Sequence, residues 1–284
     1  LSSMPPIHAD LHTHTTCSDG QLHPLRLLDA AAQRGIRVLA ITDHDTLAGW
    51  DTAQHVATDH PVTLIPGVEL SVTVGEREVH LLGYGFDPHH DGVRAHVNWF
   101  AEARRERAQQ MVDNLQAVGV DVTLEDVRRA ADGAEALGRP HVAMALVAAG
   151  YVDTYDDAFA QYLSEEGPAF AAKPSFPAHD ALDLLHDAGG IGVLAHPGHW
   201  TSGRLLHRLG RAGLDGIEVW HPSHDASLVA YYERLARDYD LVATGGSDFH
   251  GHRAGDEKRF GTCGLTRAAW QRMGSALQRV GTGE

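Results

Sequence analysis

The sequence predicts an α/β chain, an irregular barrel of roughly seven βα-like units interrupted by a helical insertion. Short β-rich runs alternate with amphipathic helical patterns in the first and last thirds of the chain, which implies parallel βα units. That many units is too large a number for a small open sheet. Between them lies a long stretch in which helical patterns follow one another without a strand pattern. The expected organisation is a barrel from residues 1–97 and 177–284 and a helical cap from 98–176.

Ile7–Leu11 reads as the first strand, and His23–Arg34 as a helix with Leu25, Leu28 and Ala32 on one face and Gly35 at its end. A strand at Ile36–Thr42, a helix around Thr46–Thr58 and a strand at Val62–Ile65 follow. Glu69–Val74 and Glu78–Leu82, joined through Gly75, read as a hairpin. The insertion carries helical patterns at Trp99–Val118, Leu124–Ala131, His141–Ala149 and Tyr155–Leu163, rich in Ala, Arg, Glu and Gln. Alternation resumes with a helix at Pro177–Ala188, a strand at Ile191–Ala195, a helix at Leu205–Ala212 and a strand at Gly216–Trp220. A helix at Ser227–Asp238, a strand at Leu241–Thr244 and a closing helix at Ala268–Arg279 complete the chain.

The 284 residues are 43% hydrophobic, enough for a sizeable core. Apolar runs such as Val62–Ile65 and Ile191–Ala195 are strand-sized, not membrane-sized. The opening residues Leu1–Pro6 lack the basic and apolar regions of a signal peptide, so a cytoplasmic location is expected. Cys17 and Cys263 read as reduced thiols and are too few for a thiolate zinc site. A net charge of −15, from 23 basic and 38 acidic residues, argues against long nucleic acids and anionic membranes. It does not argue against a small phosphorylated substrate, since cations bound among the carboxylates would offset part of the charge.

Histidine is the unusual component, with 21 in the chain, and its positions carry the information. Strand after strand ends in metal-competent residues, where a barrel places its active site. The first runs into Asp10-Leu11-His12-Thr13-His14, and strand alternation puts His12 and His14 on one side. Asp19 follows in a loop, His44 ends the second strand, and Glu69 and His80 lie in the hairpin. His196, His221, Asp248 and His250 end later strands. Taken singly, each has a structural explanation: Asp248 as a helix N-cap, or His196 beside Pro197 as a satisfied core residue. Repetition at one structural place favours a metal site. Imidazoles mixed with carboxylates suit manganese, zinc or iron.

Five segments resemble the signature motifs of the PHP (polymerase and histidinol phosphatase) superfamily: Asp10–His14, Thr42-Asp43-His44, Gly138-Arg139-Pro140-His141, Ala195-His196-Pro197 and Ser247-Asp248-Phe249-His250. The resemblance implies a distorted (β/α)7 TIM-like barrel holding three divalent metal ions, manganese first and zinc or iron as alternatives. It implies His12, His14, Glu69 and Asp248 around one ion, Glu69, His80 and His196 around a second, and Asp19, His44 and His250 around a third. Arg139 and His141 would reach the substrate from the insertion, with Lys173 and Ser18 as further substrate contacts and His221 as a proton donor. Glu218 reads as an orienter of ligands, and Asp43 and Asp45 as supports more than ligands. The basic run Arg104-Arg105-Glu106-Arg107 reads as a salt-bridged, solvated helix face.

The inserted cap is similar to that of stand-alone PHP phosphoesterases acting on nucleotides, which implies hydrolysis of a terminal phosphate of small nucleotides such as nucleoside 3′,5′-bisphosphates by a metal-activated hydroxide. Alternatives are 5′–3′ exonuclease action on short oligonucleotides, a histidinol phosphate phosphatase, a C–N amidohydrolase, and a non-catalytic sensor. Against the amidohydrolase, no lysine ends a strand. No Ser–His–acid arrangement surrounds Ser18 or Ser247, and no phosphate-binding loop motif occurs.

Overall fold

A computed structural model describes residues 6–131, 137–199, 201–253 and 255–282. Most of the opening segment read for a signal peptide therefore lies outside the described residues. The strands, in chain order, are β1 (Ile7–Asp10), β2 (Val38–Ala40), β3 (Thr63–Ile65), β4 (Gly67–Val74), β5 (Arg77–Tyr84), β6 (Ile191–Leu194), β7 (Gly216–Trp220), β8 (Val242–Gly245) and β9 (Leu265–Thr266). Helices α1 (Pro24–Gln33) and α2 (Ala48–Ala57) connect the first strands. The middle of the chain is helical: α3 (Asp91–Ala117), α4 (Leu124–Ala130), α5 (Arg139–Ala148) and α6 (Tyr155–Ala158), which runs into a π-helical turn at Phe159–Leu163. Then come α7 (Ala178–Asp187), α8 (Gly203–Arg211), α9 (Ala226–Asp238), the short α10 (Asp256–Arg259) and α11 (Arg267–Thr282). Neither β9 nor α10 is expected from the sequence, because each is too short to show a period.

The fold is mixed α/β, but its ladders form two sheets, ordered β3-β2-β1-β9 and β4-β5-β6-β7-β8, and not one closed barrel. Pairing is parallel except where β9 meets β1 and where β5 meets β4 and β6. Because β4 and β5 form an antiparallel hairpin, the parallel register of β2 and β3 does not continue across that edge. Among the described residues the sheets meet in isolated bridges, His44 with Glu69 and Thr13 with Phe249, supported by Leu11 N–H donating to Gly245 O at 3.3 Å. Both bridges lie at or beyond the strand ends that carry the histidines.

Side chains from both sheets and from α11 share one interior cluster, including Leu11, Val38, Leu82, Tyr84, Val193 and Met273. Buried Tyr84 ties the sheets together, its hydroxyl donating to Leu11 O at 2.7 Å. A second cluster packs α7, α8 and α9 against β4 to β7. The helical stretch has a cluster of its own, and α3 serves two cores. Val93 and Val97 join the strands' cluster, while Ala108, Met111, Val112 and Leu115 join that of α4 and α5. Among the described residues no helix is long and apolar enough to cross a membrane.

If the helical stretch has a packed core of its own, emptying it should be costly. Leu115→Ala, at a fully buried position, is expected to lower the unfolding free energy by about 2–5 kcal/mol in denaturant titrations. A loss below about 0.5 kcal/mol, the range of surface substitutions, would contradict that packing.

Candidate metal centre

Five histidines from four chain segments converge on Glu69, which is buried in β4. Beyond β1 the backbone stays extended, with His14 N–H donating to Phe249 O at 2.9 Å, so His12 and His14 point the same way. Their Nε2 atoms lie 3.1 and 3.2 Å from Glu69 Oε2, and His44 Nδ1 lies 3.3 Å from the same oxygen. Across the hairpin Glu69 pairs with Leu82, two residues from His80, so His80 shares its face. His80 Nδ1 and His196 Nε2 meet Glu69 Oε1 at 2.8 and 3.0 Å.

Two more carboxylates extend the cluster. Asp248 Oδ1 is 3.4 Å from His12 Nε2 and 3.2 Å from His14 Nε2. Asp19 lies 3.3 Å from His250 Nε2, 3.7 Å from His14 Nδ1 and 3.8 Å from His44 Nε2. Donor atoms of His14, Asp19, His44 and His250 all fall within 4.8 Å of one another, as do those of His12, His14 and Glu69, and those of His44, Glu69 and His80. His196 joins the last group through Glu69 alone. The sequence-predicted ligand residues are thus all brought together.

The donors suit divalent cations. Both ring nitrogens of His14 and Nδ1 of His44 are buried without a hydrogen-bond partner among the described residues, although carboxylates face them. Burial opposes ionisation throughout the cluster, yet the imidazoles hold Glu69, Asp19 and Asp248 well below the carboxylate range. Burial also works against charging His14 and His80, but Asp248 and Glu69 raise His14 to about 9, and Glu69 raises His80 to about 9. For His44 burial wins, pushing it down to about 3. Without a cation, protons on imidazoles balance the carboxylates.

Neighbouring groups fix the ring orientations. Glu218 accepts from His12 Nδ1 (3.0 Å) and from the backbone N–H of His196 (2.7 Å). Asp43 accepts from Thr15 N (2.7 Å) and Ser18 Oγ (2.6 Å), and Asp45 pairs with Arg104. Gly246 has a plain reason to be glycine, since a Cβ there would lie 2.4 Å from the backbone N of His12.

Beside the cluster a cavity of about 150 Å³ is lined by Asp19, His44 and His80 and by four cationic side chains, Arg104, Arg107, Arg139 and Lys173. This corrects the solvated reading of the basic run. Arg105 does face solvent, paired with Glu102 at 2.6 Å, but Arg104 and Arg107 point inward with Phe100, Ala108 and Met111. Burial and the adjacent Arg139 and Arg104 lower Arg107 to about 10. The 3–4 residue spacing of this face was the available signal.

Other assigned side chains are differently occupied. His141 Nδ1 accepts from Gly138 N–H and its Nε2 meets Ser18 O, both at 3.0 Å. His141 thereby ties α5 to the Asp19 loop. Ser18 is likewise committed to Asp43. Lys173 lines the cavity but pairs with Glu78. His221 Nε2 is buried, without a hydrogen bond, 3.5 Å from Asp248 Oδ2. Arg253, missed by the sequence reading, donates to Asp248 Oδ2 and contacts His250 Nε2, both at 2.9 Å.

Because the raised histidines carry protons at neutral pH, a cation must displace them. Manganese affinity is expected to rise as pH approaches 9. Calorimetry in buffers of different ionisation enthalpy should show net proton release, and binding without it would contradict this charge state.

The PHP domain model matches residues 10–149. A 3′,5′-nucleoside bisphosphate phosphatase of Chromobacterium violaceum is 37% identical, over 85% of this chain and 86% of its own. A 5′–3′ exoribonuclease of Haemophilus influenzae is 34% identical, over 85% of this chain and 89% of its own. The crystal structure of a candidate metal-dependent phosphoesterase from Bifidobacterium adolescentis is 32% identical and superposes with a TM-score of 0.84, covering 95% of this chain and 96% of that one. The metal-competent cluster and these similarities agree: the chain belongs to the PHP domain family of phosphoric ester hydrolases.

Proposed function

We propose that the chain removes a terminal phosphate from small nucleotides such as nucleoside 3′,5′-bisphosphates, with three divalent cations, manganese first, at its centre. The observation that carries this reading is the cavity in which Arg104, Arg107, Arg139 and Lys173 face the edge of the ligand cluster. In a chain of net charge −15, Arg107 and Arg139, without a carboxylate partner among the described residues and set beside the paired Arg104 and Lys173 in a space of about 150 Å³, suit a compact anion. A long nucleic acid would call for an open track instead. The similarity to a bisphosphate phosphatase supports the same reading.

His12, His14, Glu69 and Asp248 would hold one cation, Glu69, His80 and His196 a second, and Asp19, His44 and His250 a third. When bound, such cations lower the pKa of water and neutralise charge on the phosphoryl and leaving oxygens. The protein's own groups do the rest. Arg139 makes no ion pair among the described residues, so its planar fork is free for a phosphate that is not being cleaved. Arg107, bound to Ala171 O through Nε, keeps its terminal nitrogens available. His221, with a free buried Nε2 beside Asp248, is the better candidate for moving a proton than His141. We take residues 98–176 as a cap whose contacts, Arg139 and His141 above all, reach the site. The bridges joining the two sheets support the distorted-barrel reading.

Exonuclease action on short RNA is the second reading, favoured by the similarity to the exoribonuclease. With manganese, adenosine 3′,5′-bisphosphate should give a higher kcat/KM than histidinol phosphate or a short 5′-phosphorylated RNA, and the opposite order would overturn the primary reading. A charge-assisted hydrogen bond contributes about 1.5–3 kcal/mol. Arg139→Ala should therefore lower kcat/KM on the bisphosphate by about ten- to a hundredfold, and less on a one-phosphate analogue. Equal losses on both would assign Arg139 to the reacting phosphate.

A further inference from the structure

The cavity has one aromatic wall that the phosphate chemistry does not use. Phe159 is the aromatic side chain of its lining, beside Arg139, whose guanidinium carbon lies 5.8 Å from the ring centroid. Phe159 is only half-buried, one side against the core of the helical stretch. One helical turn earlier, Tyr155 lies on the same face, ring centroids 5.0 Å apart and tilted by 41°. Tyr155 is 38% exposed, and its hydroxyl makes no hydrogen bond to a described residue. Tyr155 reaches the cavity through its ring contact with Phe159, which lines it. Burial, and then Asp19, push the Tyr155 hydroxyl up to about 12, which keeps the phenol neutral. The segment is built to hold this position: Thr154 caps α6 by accepting from Asp157 N–H at 3.1 Å, and Phe159 opens the π-helical turn, a feature common at functional sites.

An exposed aromatic pair beside free phosphate-binding arginines has the chemistry to take the flat face of a base. We infer that Tyr155 and Phe159 form the wall on which the nucleobase stacks, making the base itself a determinant of substrate choice. This rests on the nucleotide reading given above. The phosphates are gripped by cations, the base by rings, and the sugar spans the two.

The experiment compares adenosine 3′,5′-bisphosphate with 1-deoxyribose 3,5-bisphosphate, which lacks the base, using the manganese-loaded full chain. The wild type is expected to favour the nucleotide by about tenfold or more in kcat/KM, mostly through KM. Tyr155→Ala should abolish most of that preference while leaving turnover of the base-free compound unchanged, and Tyr155→Phe should retain it. Phe159→Leu, which keeps an apolar side chain for the core, should act in the same direction. A wild type that treats both compounds alike would overturn the stacking proposal and leave the phosphatase reading intact. Equal loss on both compounds in Tyr155→Ala would also overturn it, making the ring a support for Arg139. A wild type that cleaves neither bisphosphate would overturn the nucleotide reading and this proposal together.

Discussion

Glu69 places an ionised carboxylate in the interior, where it is tolerated only if charge and hydrogen bonds compensate it. Five imidazoles do so, three on one oxygen and two on the other, each within 3.3 Å. They come from the ends of β1, β2 and β6, from within β5, and from the strand alternation that brings His14 beside His12. Strand order, the antiparallel hairpin and the two seam bridges together deliver these rings to one point. Asp248 and Asp19 repeat the arrangement at either side, giving a chain of alternating donors.

Holding this cluster distorts the backbone. Among the described residues only four non-glycine positions have positive φ, and three belong to the site or its support: Asp45 (54°), His196 (28°) and Asp248 (50°). Such conformations cost about 1–3 kcal/mol each and persist only where the surroundings over-determine them. Here Glu218 holds the His196 backbone, Arg104 and Ser71 hold Asp45, and Arg253 holds Asp248.

The strand ends were legible because their chemistry is local: alternation alone puts His12 and His14 on one side, and Asp-His pairs at strand termini need no tertiary knowledge. Glu218 was legible as a support for the same reason. Arg104 and Arg107 were not, because charge suggested solvent while the helical period, running through Phe100, Ala108 and Met111, placed them inside. His141 and Ser18 carry the right chemistry, but the approach of His141 Nε2 to Ser18 O and of Ser18 Oγ to Asp43 is long-range, and no spacing reveals it. Tyr155 and Phe159 fall within the helical pattern Tyr155–Leu163, which by itself marks no site. The two sheets stop short of one ladder at the β4 and β8 edges, where single bridges at His44–Glu69 and Thr13–Phe249 take the place of strand pairing, a long-range feature outside any local pattern.

The central claim is that one buried carboxylate organises two of the three proposed cation sites. Glu69→Gln keeps the side chain's shape and removes its charge. Metal content per folded chain, measured by mass spectrometry after equilibration with manganese and removal of the excess, tests it most directly. The account predicts that the wild type holds three ions and that the variant keeps only the one assigned to Asp19, His44 and His250, together with loss of turnover. A variant that retains the full complement would show that Glu69 is not the organising group.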